Sequence, residues 1–291
     1  MKSDKTSFLT LHLPQGKKIF FLSDFHLGAP DYTHSREREA KVTAWIDAHK
    51  HEMHSLFLLG DIFDYWFEYR YVVQKGFVRF MAKIAELTDS GIPVHFFGGN
   101  HDTWNKHYFQ QELGMKVYRG NMELNVDDAR FLIGHGDGLG ANEIGYKWMK
   151  ALFEAKTSRV LYASLHPYWG SRLAKAMSRH SRKAGSASGE EHYRREHWKN
   201  QNLLTFTQQV LQQKHIDFFI FAHRHWPVLA RLDGTQVQVV PECQVALEHG
   251  KAAEKRDSFY LNTGDWLHYC SYASFDGDTL RLEGESVQNS F

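Results

Sequence analysis

The chain has 291 residues, 42% hydrophobic and 14% aromatic, enough apolar side chain for a sizeable core, which excludes a disordered chain. Formal net charge is +1, so the overall balance selects no polyanionic partner. The two cysteines, Cys243 and Cys270, make no disulfide framework and point to a reducing compartment.

The N-terminal segment carries charged residues as far as Lys18, and its apolar run Ile19–Leu22 is too short for a signal peptide or a membrane span. A cytosolic protein is the expectation. From Lys18 onward, short apolar runs each end in polar residues capable of chemistry. Lys18–Ser23 runs into Asp24-Phe-His26, and a helical pattern over Arg36–His51 follows. Ser55–Gly60 runs into Asp61-Ile-Phe-Asp64, followed by a helical pattern over Val78–Ser90. Val94–Gly98 runs into Gly99-Asn-His-Asp102, Arg130–Gly134 into His135-Gly-Asp137, and Asp217–Ala222 into His223-Arg-His225. Runs of this length, rich in Phe, Leu and Ile and bounded by Gly, predict buried strands. Strands alternating with helices predict an α/β sheet, whose ligands sit beyond the carboxyl ends of the strands. All five polar motifs fall at that end.

Between the fourth and fifth motifs, residues 142–183 are helical in pattern, with Ile144, Trp148, Leu152, Phe153, Val160, Leu161, Leu165, Leu173 and Met177 as apolar positions. Pro167 and Gly170 divide the stretch into at least two helices. Residues 141–200 hold twelve Lys/Arg against five Asp/Glu, a net of +7, which leaves the remainder at −6 and points to an anionic ligand or surface near the insertion. Ala184–Gly189, Ala-Gly-Ser-Ala-Ser-Gly, reads as a loop. After His225, Val228–Leu232, Gln236–Val240, Ser258–Asn262, Cys270–Phe275 and Thr279–Glu283 read as short strands, predicting a second, largely antiparallel sheet packed on the first. Without repeat or linker, residues 1–291 read as one domain, with 142–200 as a helical lid inserted in it.

A lone Asp or His at a strand end is ordinarily a cap or a hydrogen-bonding group. Five such motifs in order supply what a dinuclear hydrolytic site needs: oxygen ligands, imidazoles and one bridging carboxylate. Asp24, His26, Asp61 and His225 are assigned to one metal, and Asp61, Asn100, His135 and His223 to the other, with Asp61 shared. His101, beside Asn100, is the candidate for stabilising developing charge or protonating the leaving oxygen, and Asp61 counts with it as catalytic. Asp64 and Asp102 are expected to orient His101 and its neighbours.

In this order, D-x-H, G-D-x-x-D, G-N-H-D, G-H-G-D and H-x-H resemble the calcineurin-like metallophosphoesterase superfamily over residues 18–226. The resemblance implies a four-layer α-β-β-α sandwich and two divalent ions, manganese first, with iron and zinc as alternatives. Within the superfamily the chain is most similar to the UDP-2,3-diacylglucosamine diphosphatase family of lipid A biosynthesis. That resemblance rests on Ser23-Asp-Phe-His-Leu-Gly28, on Gly60-Asp-Ile-Phe-Asp-Tyr-Trp66, and on a basic lid helix ending Ser171-Arg-Leu-Ala-Lys-Ala-Met-Ser-Arg-His-Ser-Arg-Lys-Ala184. It implies cleavage of a nucleotide–lipid pyrophosphate to UMP and 2,3-diacylglucosamine 1-phosphate.

An apolar groove lined by Trp148, Leu152, Phe153, Leu161, Tyr168, Trp169 and Met177 would shelter acyl chains, and Arg179, Ser181, Arg182 and Lys183 would bind head-group oxygens. The basic, aromatic insertion also suits an anionic membrane surface, which would place the protein on the cytoplasmic face of the inner membrane. Two departures from the family stand out: His101 stands where its best-known members have Arg, and small residues replace polar and basic ones near Gly185 and Ser188. The alternatives are a phosphatase for another nucleotide or phosphoester, a nuclease, which the net acidic core argues against, and a non-enzymatic scaffold, which the complete ligand set argues against.

Overall fold

The computed structural model describes residues 7–139, 155–185, 202–234 and 236–285. In chain order its elements are β1 (Ser7–Leu11), β2 (Lys18–Leu22), α1 (Tyr32–His49), β3 (Met53–Leu58), α2 (Val78–Asp89), β4 (Val94–Phe97), α3 (Tyr108–Gln111), β5 (Lys116–Tyr118), β6 (Met122–Val126) and β7 (Ala129–Ile133). Helices α4 (Lys156–Ser164) and α5 (Pro167–Gly185) follow, then α6 (Asn202–Leu211) and β8 (Phe218–Phe221). The chain closes with β9 (Val228–Asp233), β10 (Gln236–Val239), β11 (Gln244–Ala246), β12 (Ser258–Asn262), β13 (Tyr272–Phe275) and β14 (Thr279–Glu283).

The strands form two seven-stranded sheets, ordered β11-β14-β13-β2-β3-β4-β5 and β1-β6-β7-β8-β12-β9-β10. Two sheets were expected, but their membership differs from the sequence-based expectation. The motif-bearing strands divide between them: β2, β3 and β4 run parallel in one, while β7 and β8 run parallel in the other. The C-terminal strands divide too. Antiparallel β13 and β14 extend the first sheet beyond β2, and β12 and β9 extend the second beyond β8.

Alternation along the strands builds the layers. Ile19, Phe21, Phe57 and Phe97 of the first sheet pack against Leu124, Phe131, Phe218 and Ile220 of the second. The intervening Phe20, Leu22, Leu56, Leu58 and Phe96 point the other way, onto Val42, Ile46, Phe80 and Ile84 of α1 and α2. On the far side, Leu132, Phe219 and Phe221 of the second sheet cover Leu203 and Leu204 of α6. Each such side chain contributes about 1.5–3 kcal/mol by leaving water, and the result is a four-layer α-β-β-α sandwich. Helix α2 begins at a left-handed Phe77 without a side-chain cap of its own; Glu39 of α1 accepts from the N–H groups of Arg79 and Phe80 and fastens the two helices together.

Helices α4 and α5 occupy the predicted insertion, between β7 and α6. Trp148, Leu152 and Phe153 lie outside the described residues. Leu161, Tyr168, Trp169 and Met177 are exposed, and a surface groove of about 750 Å³ is lined by Leu165, Trp169, Arg172, Leu173, Lys175 and Ala176. Arg179, Ser181, Arg182 and Lys183 fall on the last turns of α5, and their side chains lie outside the described part of the structure. Among the described residues no helix is long and apolar enough to cross a membrane. Both cysteines are free and buried.

Candidate metal centre

The chain leaves each motif strand through tight backbone. Asp24, His26, Asp61, His223 and His225 all have positive φ, from 44° to 69°, a conformation that costs a non-glycine residue about 1–3 kcal/mol. Cross-bonds between the loops hold it: Asp24 N donates to Gly60 O at 3.0 Å, and His26 N to Asp61 O at 2.9 Å. Buried Arg38 donates to the carbonyls of Phe25, His26 and Ala29, clamping the first motif from α1. Two glycines allow the loops to meet. A Cβ on Gly60, whose φ is +96°, would lie 2.7 Å from Gly99 N and 2.8 Å from His135 Nδ1; one on Gly99 would lie 2.2 Å from Asp61 Oδ1.

These loops bring the seven predicted ligands together. Two clusters, Asp24-His26-His225 and Asp61-His135-His223, each have donor atoms within 4.8 Å of one another, and a third, His26-Asp61-His101, joins them. His225 Nε2 lies 3.5 Å from Asp24 Oδ1, and His26 Nε2 lies 3.8 Å from both Asp24 Oδ1 and Asp61 Oδ2. His135 Nε2 lies 3.4 Å from Asp61 Oδ2 and 3.2 Å from Asn100 Oδ1. Such spacings suit donors arranged about a cation roughly 2.0–2.2 Å from each. The polar atoms agree: Asp24 Oδ1 and both ring nitrogens of His26 are buried without a hydrogen-bond partner, an expensive state that a cation would relieve.

The electrostatics are those of a cation site. Burial disfavours charge on Asp24 and Asp61, yet neighbouring imidazoles, His225 for the first and His135 for the second, hold both carboxyls below their usual range. Burial also opposes charge on His135, but Asp61 overrides it and pushes the ring up to about 10. His26 and His223 are pushed down, to about 4 and about 3, chiefly by burial.

Around these donors lies a supporting layer. His135 Nδ1 donates to Leu59 O at 2.8 Å, and His225 Nδ1 lies 3.0 Å from Asp265 Oδ2. The His101 backbone N donates to Asp61 Oδ1 at 2.9 Å, and its Nδ1 donates to Asp64 O, also at 2.9 Å. Asp102, expected with Asp64 to orient His101 and its neighbours, lies against neighbouring backbone. Its carboxylate accepts from the N–H groups of Gly99, Ile62 and Phe63, so it ties two loops together through backbone. Burial, with the charge of Asp61, pushes its carboxyl up to about 7.

Two supporting residues escaped the sequence reading. Asp265 follows β12 as Asn262-Thr-Gly-Asp265, the same pattern of apolar strand, glycine and acid that marked Asp61. Arg38 carried no signal beyond being a basic residue within a predicted helix.

Residues 17–227 match the calcineurin-like phosphoesterase family. The chain belongs to that family. This phosphoesterase is 37% identical over 275 residues to the UDP-2,3-diacylglucosamine hydrolase of Porphyromonas gingivalis, covering 91% of this chain and 97% of the relative. It is 26% identical over 222 residues to the UDP-2,3-diacylglucosamine hydrolase of Escherichia coli O7:K1, covering 74% of this chain and 85% of that one. A solved phosphoesterase from E. coli superposes with a TM-score of 0.37 at 14% identity, over 90% of each chain. As a calcineurin-like phosphoesterase the protein is a metal-dependent hydrolase of phosphorus-containing bonds, and its grouped carboxylates and imidazoles fit the divalent ions that this chemistry uses.

Proposed function

We propose that this phosphoesterase cleaves the pyrophosphate of UDP-2,3-diacylglucosamine, releasing UMP and 2,3-diacylglucosamine 1-phosphate. The observation that carries the substrate is the 37% identity to a UDP-2,3-diacylglucosamine hydrolase along 91% of the chain, a span too long to leave out the insertion. Residues 1–291 act as one domain, with 142–200 as its lid. Asp24, His26, Asp61 and His225 would hold one ion, and Asp61, Asn100, His135 and His223 the other. Manganese is the assigned ion, and iron and zinc suit the same nitrogen and oxygen donors. When bound, two such ions lower the pKa of a water and neutralise phosphoryl charge.

The chain's own residues supply the remaining chemistry. Asp61, fixed by the His101 N–H, keeps one carboxylate between the two clusters. The Asp64 carbonyl holds His101 by Nδ1, so Nε2 is the ring atom that would hand a proton to the leaving phosphate oxygen as water's oxygen bonds to phosphorus, the bridging P–O bond breaks and the proton lost by that water passes to solvent. The exposed apolar residues of α4 and α5 suit acyl chains, and Arg179, Ser181, Arg182 and Lys183 suit the head group. A basic, apolar lid of this kind suits contact with anionic lipid at the cytoplasmic face of the inner membrane.

Turnover of UDP-2,3-diacylglucosamine with Mn²⁺, read as UMP release, tests this reading. Hydrolysis of simple nucleotides with none of the lipid would overturn the substrate assignment.

A further inference from the structure

Ser178 lies on lid helix α5, is 7% exposed, and donates from Oγ to Asp64 Oδ1 at 2.8 Å across 114 residues of sequence. The same carboxylate oxygen is 3.8 Å from His26 Nδ1 and 3.9 Å from His101 Nδ1. We propose that Ser178 is a positioning residue that couples the seating of the lid to the metal centre by holding the Asp64 carboxylate beside His26 and His101.

An imidazole that binds a cation through Nε2 carries its proton on Nδ1 and needs an acceptor there, commonly a carboxylate. His26 Nδ1 is buried and lacks a hydrogen-bond partner, while Asp64 Oδ1 stands 3.8 Å away. A shift of about 1 Å would close that gap to hydrogen-bond length. Because Ser178 holds that same oxygen, the position of α5 governs which way the carboxylate turns.

The contact belongs to a second, independent anchorage of the lid on the same core segment. Tyr65, next to Asp64, meets the Tyr162 hydroxyl of α4 at 2.7 Å, and Tyr162 donates in turn to Gly170 O at the start of α5. The rings of Phe67 and Trp104 pack on Tyr162 at 4.6 and 4.8 Å. Gly170 is pressed so closely on this cluster that a Cβ there would lie 2.3 Å from the Tyr69 hydroxyl. Gly170 and Ser178 are eight residues apart, about 12 Å along the helix, so α5 meets the segment after Asp61 at two separated points. A lid displaced from its seat would withdraw the Ser178 hydroxyl from Asp64.

This inference rests on the two-metal reading and is tested with Co²⁺ titration and with bis(p-nitrophenyl) phosphate, a small diester without acyl chains. Ser178→Ala should weaken Co²⁺ binding and lower kcat for the small ester by about 10-fold, the low end of losses from supporting residues of metal sites. Ser178→Thr, which keeps the hydroxyl, should restore both to within about 3-fold. Asp64→Asn should reproduce the loss, and adding Ser178→Ala to it should lose little more. Thermal unfolding of the metal-free proteins checks that each variant folds. Wild-type Co²⁺ binding and small-ester turnover in Ser178→Ala, with a defect confined to KM for the acylated nucleotide, would overturn the coupling and reduce Ser178 to lid packing. A wild-type chain that binds no Co²⁺ would overturn the two-metal reading along with it.

Discussion

Gly99→Ala adds one methyl group beside the carboxylate assigned to both ions. Its Cβ would lie 2.2 Å from Asp61 Oδ1, 2.6 Å from Asp61 N and 2.9 Å from Asp61 Cγ, whereas ordinary contact begins near 3.4 Å. The oxygen or the loop must therefore move by about 1.2 Å. Neither has room. Gly99 N–H is held by Asp102 Oδ1 at 2.7 Å, and the Asp61 oxygen itself accepts from His101 N at 2.9 Å. Gly99 lies outside the left-handed region, so the effect is chiefly one of contact. Overpacking of this kind costs about 1–3 kcal/mol of stability, and an active-site displacement near 1 Å costs about 10²-fold in rate. The assay is turnover of bis(p-nitrophenyl) phosphate against Mn²⁺ concentration, beside thermal unfolding of the same protein. A folded Gly99→Ala with wild-type turnover and metal requirement would refute the tight apposition of the two loops.

Asp61→Ala and His135→Ala should each abolish metal-dependent hydrolysis in a chain whose circular dichroism is unchanged; undiminished turnover in either would remove that residue from the centre. Asp265→Asn replaces the carboxylate that faces His225 Nδ1, and should weaken metal binding about 10–100-fold by isothermal titration, with unchanged affinity counting against a supporting role. His95, stacked 4.3 Å from Phe57, is pushed down to about 3, chiefly by burial. The unfolded chain takes up this proton below about pH 6.5 and the folded chain does not until about 3, so the contribution of His95 to stability is intact above pH 6.5 and lost as pH falls. At about 1.4 kcal/mol per pH unit, His95→Phe should shrink the loss of stability between pH 7.5 and pH 5 by about 2 kcal/mol in urea unfolding; an unchanged loss would place the acid sensitivity elsewhere.

How much the sequence revealed depends on how local each feature is. The loops carrying the predicted ligands were legible because an apolar run ending in polar residues is a contiguous signal; Asp24, Asp61, His135 and His223 all follow such a run, with a glycine between at Asp61 and His135. Asp265 carries the same signal after β12 and was readable in principle. The division of strands between sheets was not. Phe20, Phe21, Leu56 and Phe57 are apolar on both faces because one face meets helices and the other meets a second sheet, so alternation is erased and pairing is decided by distant partners. The same reason hid Arg38 and Ser178. Neither contact leaves a local pattern: Arg38 reaches back from α1 to the carbonyls of the first motif, and Ser178 meets Asp64 across 114 residues. Asp102 shows what motif reading leaves open within the site itself: the expectation that it orients His101 and its neighbours named no atoms, and the folded loops direct its carboxylate to backbone N–H groups of Gly99, Ile62 and Phe63.

The central claim is a centre of two ions sharing Asp61, and metal counting on the purified protein tests it most directly. After saturation with Mn²⁺ and removal of free ion, the wild-type chain should retain two ions per chain with full phosphodiester hydrolysis, and Asp61→Ala should retain at most one with none. Full activity with one ion or none in the wild type, or two retained ions and undiminished turnover in Asp61→Ala, would contradict it.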